Sequence, residues 1–409
     1  MRGTASRTIV GRVVTGGALV ALVLGATAVP GTARTAAKPT GDPVKVMVIY
    51  EKSAGIASPE IPDGAIAAAK AFNKQDGIGK RPVKVLVCDT TNDPNVAGDC
   101  GQQAISEGVV ALIGVLTPYS GSFMPLMAQN KVASIGNVLA SADDFQSSSS
   151  FPITGGIVAT SANLPRFLAD EGAKTISVAR PDLAAGAIIK LFGNTALAKV
   201  GQSIKNDVPV PTDAPDMSTY VQAALAGGTD GIIVALPGQQ AINFVQAAKQ
   251  ADPKVKLAII STEPGPVQKA LGADAAGIIQ GPAYLPVPAK GNAEAKRYVK
   301  EMKAAGYKDT SGFRINSWTA MQVLKSVADK LPEVTAAGVF DQLGQTTGLE
   351  TGLTPPLQWT TPADVGVSLV KRVFNNCELA VAMTGKSGKV KPVTGKFFDA
   401  FTGQDCPTP

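Results

Sequence analysis

Short apolar runs of buried-strand length alternate with amphipathic stretches of helical spacing along most of this chain, and the alternation starts twice. KVMVIY (45–50), KVLVCD (84–89), VVALIG (109–114) and KVASIGN (131–137) form the first series. Between them, residues 61–75 place Ile61, Ala65, Ala68, Ala69 and Phe72 on one side, with Pro62 suited to a first turn; 95–107 and 119–130 read similarly. KTISVA (174–179), TDGIIVAL (229–236), KLAIIST (256–262) and AAGIIQG (275–281) form the second series. Helical stretches near 161–171, 184–199, 218–226 and 239–250 separate them. A strand that is apolar throughout needs cover on both faces, and helical crossovers between such strands give parallel pairing. The pattern therefore specifies an α/β chain of two doubly wound parallel-sheet lobes, with a loop at Ser147–Ser150 near their boundary.

The last third departs from this rhythm. Residues 293–305 and 313–328 read as amphipathic helices, and a shorter helix falls near 336–345. A Gly/Thr/Pro-rich stretch (346–362) and short strand signals up to Asp405 follow. Pattern alone assigns these elements to either lobe.

The first acid of the chain is Asp42, and before it stand Arg2, Arg7 and Arg12, an apolar run from Val13 to Val29, and small residues. A basic start, an apolar middle and a small-residue end predict a cleaved export signal over 1–33, with candidate sites after Ala28, Ala33 and Ala37. The run is shorter than the ~20 apolar residues a membrane span needs and is broken by Gly16, Gly17 and Gly25. With no cysteine nearby to carry a lipid, the expected product is a soluble exported protein without a lipid anchor. Removing 1–33 takes three arginines and no acid, which lowers the formal charge from +6 to +3 and leaves nucleic-acid binding without a basic footprint. Cys88 and Cys100 lie close together, as do Cys377 and Cys406. Three connectivities exist; the two local pairs are the expected ones in an oxidising compartment.

The composition contains no histidine, which excludes Ser-His-Asp and Cys-His catalysis and His-ligated zinc. Gly385-Lys386-Ser387 lacks the earlier glycine of a phosphate loop, and no GxSxG or GxGxxG stands at a strand end. Neither an enzyme activity, a cofactor nor a metal is expected.

In open parallel sheets, ligands bind beyond the carboxyl ends of the strands. The loops there are small and polar: Glu51–Gly55 with Ser53, Thr117–Gly121 with Tyr119 and Ser120, and Asn137 with Val138. The second series offers Asp182 after its first strand, Gln239 in Pro237-Gly238-Gln239-Gln240, and Glu263 after Ser261-Thr262. Hydroxyls and free amides at the start of a helix, as at Thr117, suit a carboxylate or simply cap the helix. Glu263 ends an apolar strand, where an acid can meet a ligand ammonium.

The string AIAAAKAFNKQDGIGKRPVKVLVCDTTNDPNVAGDCGQQAI and, after it, VVALIGVLTPYSGSFMPLMAQNKVASIGN resemble the type I periplasmic substrate-binding proteins of the leucine/isoleucine/valine-binding family. The ordered set carries the resemblance: the turn Asn73–Gly79, Cys88-Asp89, Asp93-Pro94, Gly114–Thr117, and NSWTAMQVL at 316–324. It implies two α/β lobes joined by three crossovers, with 43–153 plus 284–344 in one lobe and 154–283 plus 345–409 in the other. It further implies a monomer that traps a small polar ligand by hinge closure and hands it to the permease of an ABC importer. By resemblance, Thr117 takes a ligand carboxylate, Glu263 its ammonium, and Val138 and Ala140 the next contacts. Ala140 lacks the hydroxyl usual there, although Ser141 is adjacent. Asp182-Leu183-Ala184-Ala185-Gly186 lacks the usual aromatic, which Tyr119 or Tyr284 would have to replace. The same fold also serves ligand sensors that signal to a membrane receptor. A secreted carboxylate-based hydrolase is a third reading.

Overall fold

The computed structural model describes residues 38–52, 58–183, 186–260, 264–287, 291–386 and 388–409. The export signal expected over 1–33, Ser53 and Glu263 lie outside the described residues.

The first sheet is built from β1 (Val44–Tyr50), β2 (Val83–Asp89), β3 (Ala111–Ile113), β4 (Ala133–Ile135) and β5 (Ser150–Phe151), all parallel, in the order β2-β1-β3-β4-β5. Helices α1 (Ile61–Asn73), α2 (Pro94–Ser106) and α3 (Met124–Gln129) make the crossovers. Asp93-Pro94 starts α2 for two local reasons. The Asp93 carboxylate accepts from the Asn95 amide at 2.7 Å, and the proline ring presets the first turn. Cys88–Cys100 then staples β2 to that helix.

The second sheet has β6 (Ile176–Pro181), β7 (Ile204–Val210), β8 (Gly231–Val234), β9 (Lys256–Ile259) and β10 (Ile279–Gln280) in the parallel order β7-β6-β8-β9-β10. Helices α4 (Gly156–Asp170), α5 (Ala187–Ala198), α6 (Ser218–Leu225), α7 (Gly238–Ala251) and α8 (Pro264–Leu271) accompany it. The α9 (Ala293–Ala305), α10 (Arg314–Ala328) and α11 (Ala336–Gly344) helices follow, then β11 (Glu378–Met383), β12 (Val390–Asp399) and β13 (Gln404–Asp405). These last strands extend the second sheet antiparallel from β10, a feature the sequence pattern did not predict. The short connection between β11 and β12 makes that pair antiparallel, because parallel pairing needs a long crossover. Cys377–Cys406 fastens the start of β11 to the segment after β13.

The chain passes between the sheets at 152–155, again between β10 and α9, and a third time between α11 and β11. Helix α10 explains the NSWTAMQVL signature. Trp318, Met321 and Leu324 are fully buried in the core of the first sheet. The Trp318 indole Nε1 donates to Glu301 Oε2 at 2.7 Å, and its ring meets Tyr298 edge-on at 5.4 Å. Burying such a ring contributes about 2–3 kcal/mol, and the paired N–H removes the cost of hiding a donor. Leu349, Leu353, Leu357 and Trp359, beyond α11, join this same core.

Candidate ligand-binding site

Each parallel sheet has one place where strand order reverses: between β1 and β3 in the first, and between β6 and β8 in the second. At such a switch point the two following crossovers leave in opposite directions and open a crevice at the strand ends. Tyr50 and Leu116 pair across the first one.

Thr117, just past that bridge, is fully buried. Its hydroxyl donates to Glu51 Oε1 at 2.7 Å and accepts from the Tyr119 amide at 3.2 Å. The same Glu51 oxygen accepts from the Thr90 hydroxyl, and Oε2 accepts from the Asn92 amide at 2.9 Å. One buried carboxylate thus ties together the ends of β1, β2 and β3. Tyr119 is partly exposed, its hydroxyl donating to Asn92 Oδ1 at 3.3 Å. Ser120 is buried and reaches the Thr117 carbonyl at 3.3 Å.

A second buried acid organises the next loop. Asp144 accepts from the Ala140 and Ser141 amides at 3.1 and 2.9 Å, and from Asn137 Nδ2 at 3.3 Å. Burial lifts its carboxyl to about 6, although hydrogen bonds from Ser141, Ala140 and Ser120 pull it down. Asn137 also donates to Ser150 Oγ at 2.9 Å, and Val138 stays partly exposed, its amide bonded to the Val115 carbonyl at 2.8 Å. Tyr284, in the second crossover, donates to Asn316 Oδ1 at 2.7 Å, and Asn316 Nδ2 donates to the Gly136 carbonyl at 2.6 Å. The structure therefore gathers Thr117, Tyr119, Ser120, Asn137, Val138 and Tyr284 around the ends of the first sheet.

Asp182 and Gln239 flank the second switch point, and both are exposed. The Asp182 amide bonds the Val210 carbonyl at 2.9 Å, and Gln239 Nε2 donates to Asn243 Oδ1 at 2.8 Å. Two surface depressions, of 680 Å³ along Pro362–Lys371 and 590 Å³ beside Phe167 and Phe398, contain none of these residues.

The three passages between the sheets meet at one polar junction. A methyl group on Gly155 would collide with the Asn376 side chain, and one on Gly281 with the Glu378 carboxylate, so both glycines are required by close approach. Glu378 is buried; its Oε1 accepts from the Thr160 hydroxyl at 2.5 Å, while Oε2 has no hydrogen bond among the described residues. Burial pushes its carboxyl to about 8, against the pull of Thr160 and Asn163 and with a push from Asp399.

Sequence reasoning passed over Glu51, Asp144 and Glu378. A signal existed for Glu51: an acid directly after a fully apolar run, with threonines ending the two neighbouring strands. Glu378 takes its hydroxyl partner from Thr160, 218 residues away, whereas Asp144 is bonded chiefly by its own loop, through Ala140, Ser141 and Asn137.

Two α/β sheets with reversed strand order, joined by three passages that meet, are the architecture of a bilobal solute-binding protein. The family model described as periplasmic binding protein matches residues 43–368, and the chain belongs to that family. No curated protein matches the sequence. Solved structures do. A branched-chain amino acid ABC transporter periplasmic ligand-binding protein from Burkholderia xenovorans is 16% identical, with a TM-score of 0.73 over 88% of this chain and 96% of that one. A leucine-binding protein from Thermotoga maritima is 17% identical, with a TM-score of 0.68 over 86% and 98%. An ABC transporter solute-binding protein from R. palustris, in complex with 4-hydroxybenzoate, is 17% identical, with a TM-score of 0.70 over 88% and 97%. These likenesses bear out the α/β fold with parallel sheets, and the family model bears out the periplasmic-binding family expected from sequence. Among the described residues, no helix is long and apolar enough to cross a membrane.

Proposed function

We propose that this protein is exported and captures a small polar solute between its two lobes for delivery to an ABC importer, acting as a monomer without catalytic turnover. The observation that carries this reading is the pair of switch points, lined by hydroxyls, amides and acids, in two sheets whose three passages meet at Gly155, Gly281 and Glu378. The lobes are 43–153 with 284–344, and 154–283 with most of 345–409, the part of that last stretch that carries Leu349, Leu353, Leu357 and Trp359 packing into the first core. Solute bound to one lobe gains its second set of hydrogen bonds only when the hinge closes, so binding selects the closed form.

In this reading, Tyr119, Val138, Asp182, Gln239 and Tyr284 offer the accessible surface, with Thr117, Ser120 and Asn137 supporting from beneath. By sequence position Ser53, and by the family resemblance Glu263, also contact the solute, Glu263 as partner of a ligand ammonium. Native mass spectrometry of the purified protein, followed by a thermal-shift screen of amino acids, amides, aromatic acids and sugars, tests it. A solute at a hundred times its dissociation constant adds about 2.7 kcal/mol of stability. Return of the compound intact supports binding, and its chemical conversion overturns the non-enzymatic reading. Glu263→Ala is expected to weaken an amine-bearing solute at least tenfold in calorimetry, because a buried ammonium loses its partner. Unchanged affinity refutes that role.

A further inference from the structure

The crevice at the first switch point already holds a carboxylate, and it is the protein's own. Two hydroxyls and one amide, from the ends of three strands, converge on Glu51, which is fully buried. Hydroxyls and free amides at strand ends are the donors with which a sheet of this kind would hold a bound anion. Here the single hydroxyl hydrogen of Thr117 is directed at Glu51 Oε1, and its lone pair takes the Tyr119 amide. The Asn92 amide is likewise spent. Among the described residues, the three donors to the Glu51 carboxylate are uncharged. Asp89, at the end of β2, stands close by, its Oδ1 accepting from the Lys52 and Thr91 amides.

We propose that Glu51 is an internal carboxylate that fills the anion site of the first lobe and makes the cleft select solutes whose group on that side is a neutral or cationic hydrogen-bond donor. This rests on the solute-binding reading and narrows it to a solute class. A solute carboxylate placed there finds Thr117 unable to donate and meets a like charge. At about 5 Å and an effective dielectric of about 20, that repulsion costs roughly a hundredfold in affinity. An ammonium, hydroxyl or amide N–H meets no such repulsion.

Glu51→Ala empties the site and leaves its three donors. The full chain carrying it is compared with wild type by thermal unfolding in sodium acetate and in sodium chloride at equal ionic strength. Acetate is expected to raise the variant's midpoint at least about 2 °C more than chloride does, and to leave wild type indifferent. Equal effects of the two salts on the variant overturn the proposal. If the variant does not fold in chloride, refolding in acetate reads the same rescue: recovery supports the proposal, and failure in both salts overturns it. A second arm titrates wild type and Glu51→Gln with leucine against leucinamide and 4-hydroxybenzoate against 4-hydroxybenzamide. The acid of a pair is expected to bind wild type more weakly than its amide and to gain at least tenfold in Glu51→Gln. An acid that binds wild type as tightly as its amide, and is indifferent to Glu51→Gln, overturns the proposal while the solute-binding reading stands. Silence of every compound tried in the titrations and the wider screen counts against the solute-binding reading, and the acetate arm still decides on Glu51.

Discussion

Replacing Glu378 with glutamine should remove a large part of the pH dependence of folding. Glu378 sits where the passages between the sheets meet, buried, with Thr160 donating to one oxygen and Gly281 pressed against the other. Its carboxyl is raised from 4.5 to about 8, chiefly because burial penalises the charged form. The sign follows from linkage. The folded state holds this proton more tightly than the unfolded chain, so the stability it contributes is complete below pH 4.5. That stability falls as pH rises and is lost by the time pH passes 8. A shift of this size corresponds to about 5 kcal/mol between the two limits. Glutamine keeps an acceptor for Thr160 and has no charge to bury. Urea unfolding of wild type and Glu378→Gln, from pH 5 to pH 9, is the assay. The two proteins should differ little at pH 5, and the variant should be the more stable by several kcal/mol at pH 9. Asp144, also raised by burial, weakens both proteins alike, so the difference between them isolates Glu378. Two stability curves that run parallel across this range would refute the reasoning.

Other outcomes follow from single contacts. Arg372 stacks on Phe151 and Phe374, with its guanidinium carbon 5.1 and 4.7 Å from their ring centres, and donates to the Ser150 carbonyl at 2.8 Å. Arg372→Ala should cost about 2–3 kcal/mol in urea unfolding, and Arg372→Lys should recover less than half, because an ammonium cannot lie flat between two rings. The Cys377–Cys406 bridge closes a separation of 29 residues, so Cys377→Ser with Cys406→Ser should cost about 3–4 kcal/mol. Removing Cys88–Cys100, with a separation of 12, should cost about 3 kcal/mol, the smaller loss of the two in the same assay.

The periodic parts of the fold were legible because burial on both faces leaves a mark on every residue of a strand. KVMVIY and KVLVCD became β1 and β2 within a residue of their expected bounds, and α9 spans the expected 293–305. Strand β7 was missed because IKNDVPV carries Lys205, Asn206, Asp207 and Pro209. An edge strand tolerates these residues, a proline above all, since one side of its backbone pairs with nothing. The helix at Pro264–Leu271 was missed for its two prolines in a stretch too short to show a period. At the site, sequence picked out Thr117 as a hydroxyl at a strand end and offered it to a ligand. The structure commits that hydroxyl to Glu51.

Sequence by itself determined the two-part α/β plan, because apolar runs at strand length and helices at crossover length follow from local covalent geometry and burial. It also determined the chemistry left available: a chain without histidine binds through hydroxyls, amides and carboxylates. Only the tertiary structure decided which of those groups are spent on one another. Glu51 with Thr90 and Thr117, and Glu378 with Thr160, are separated by 39, 66 and 218 residues. A carboxylate's partner, its burial and hence its charge state are set by atoms within a few ångströms, and no spacing along the chain records which segments will supply them.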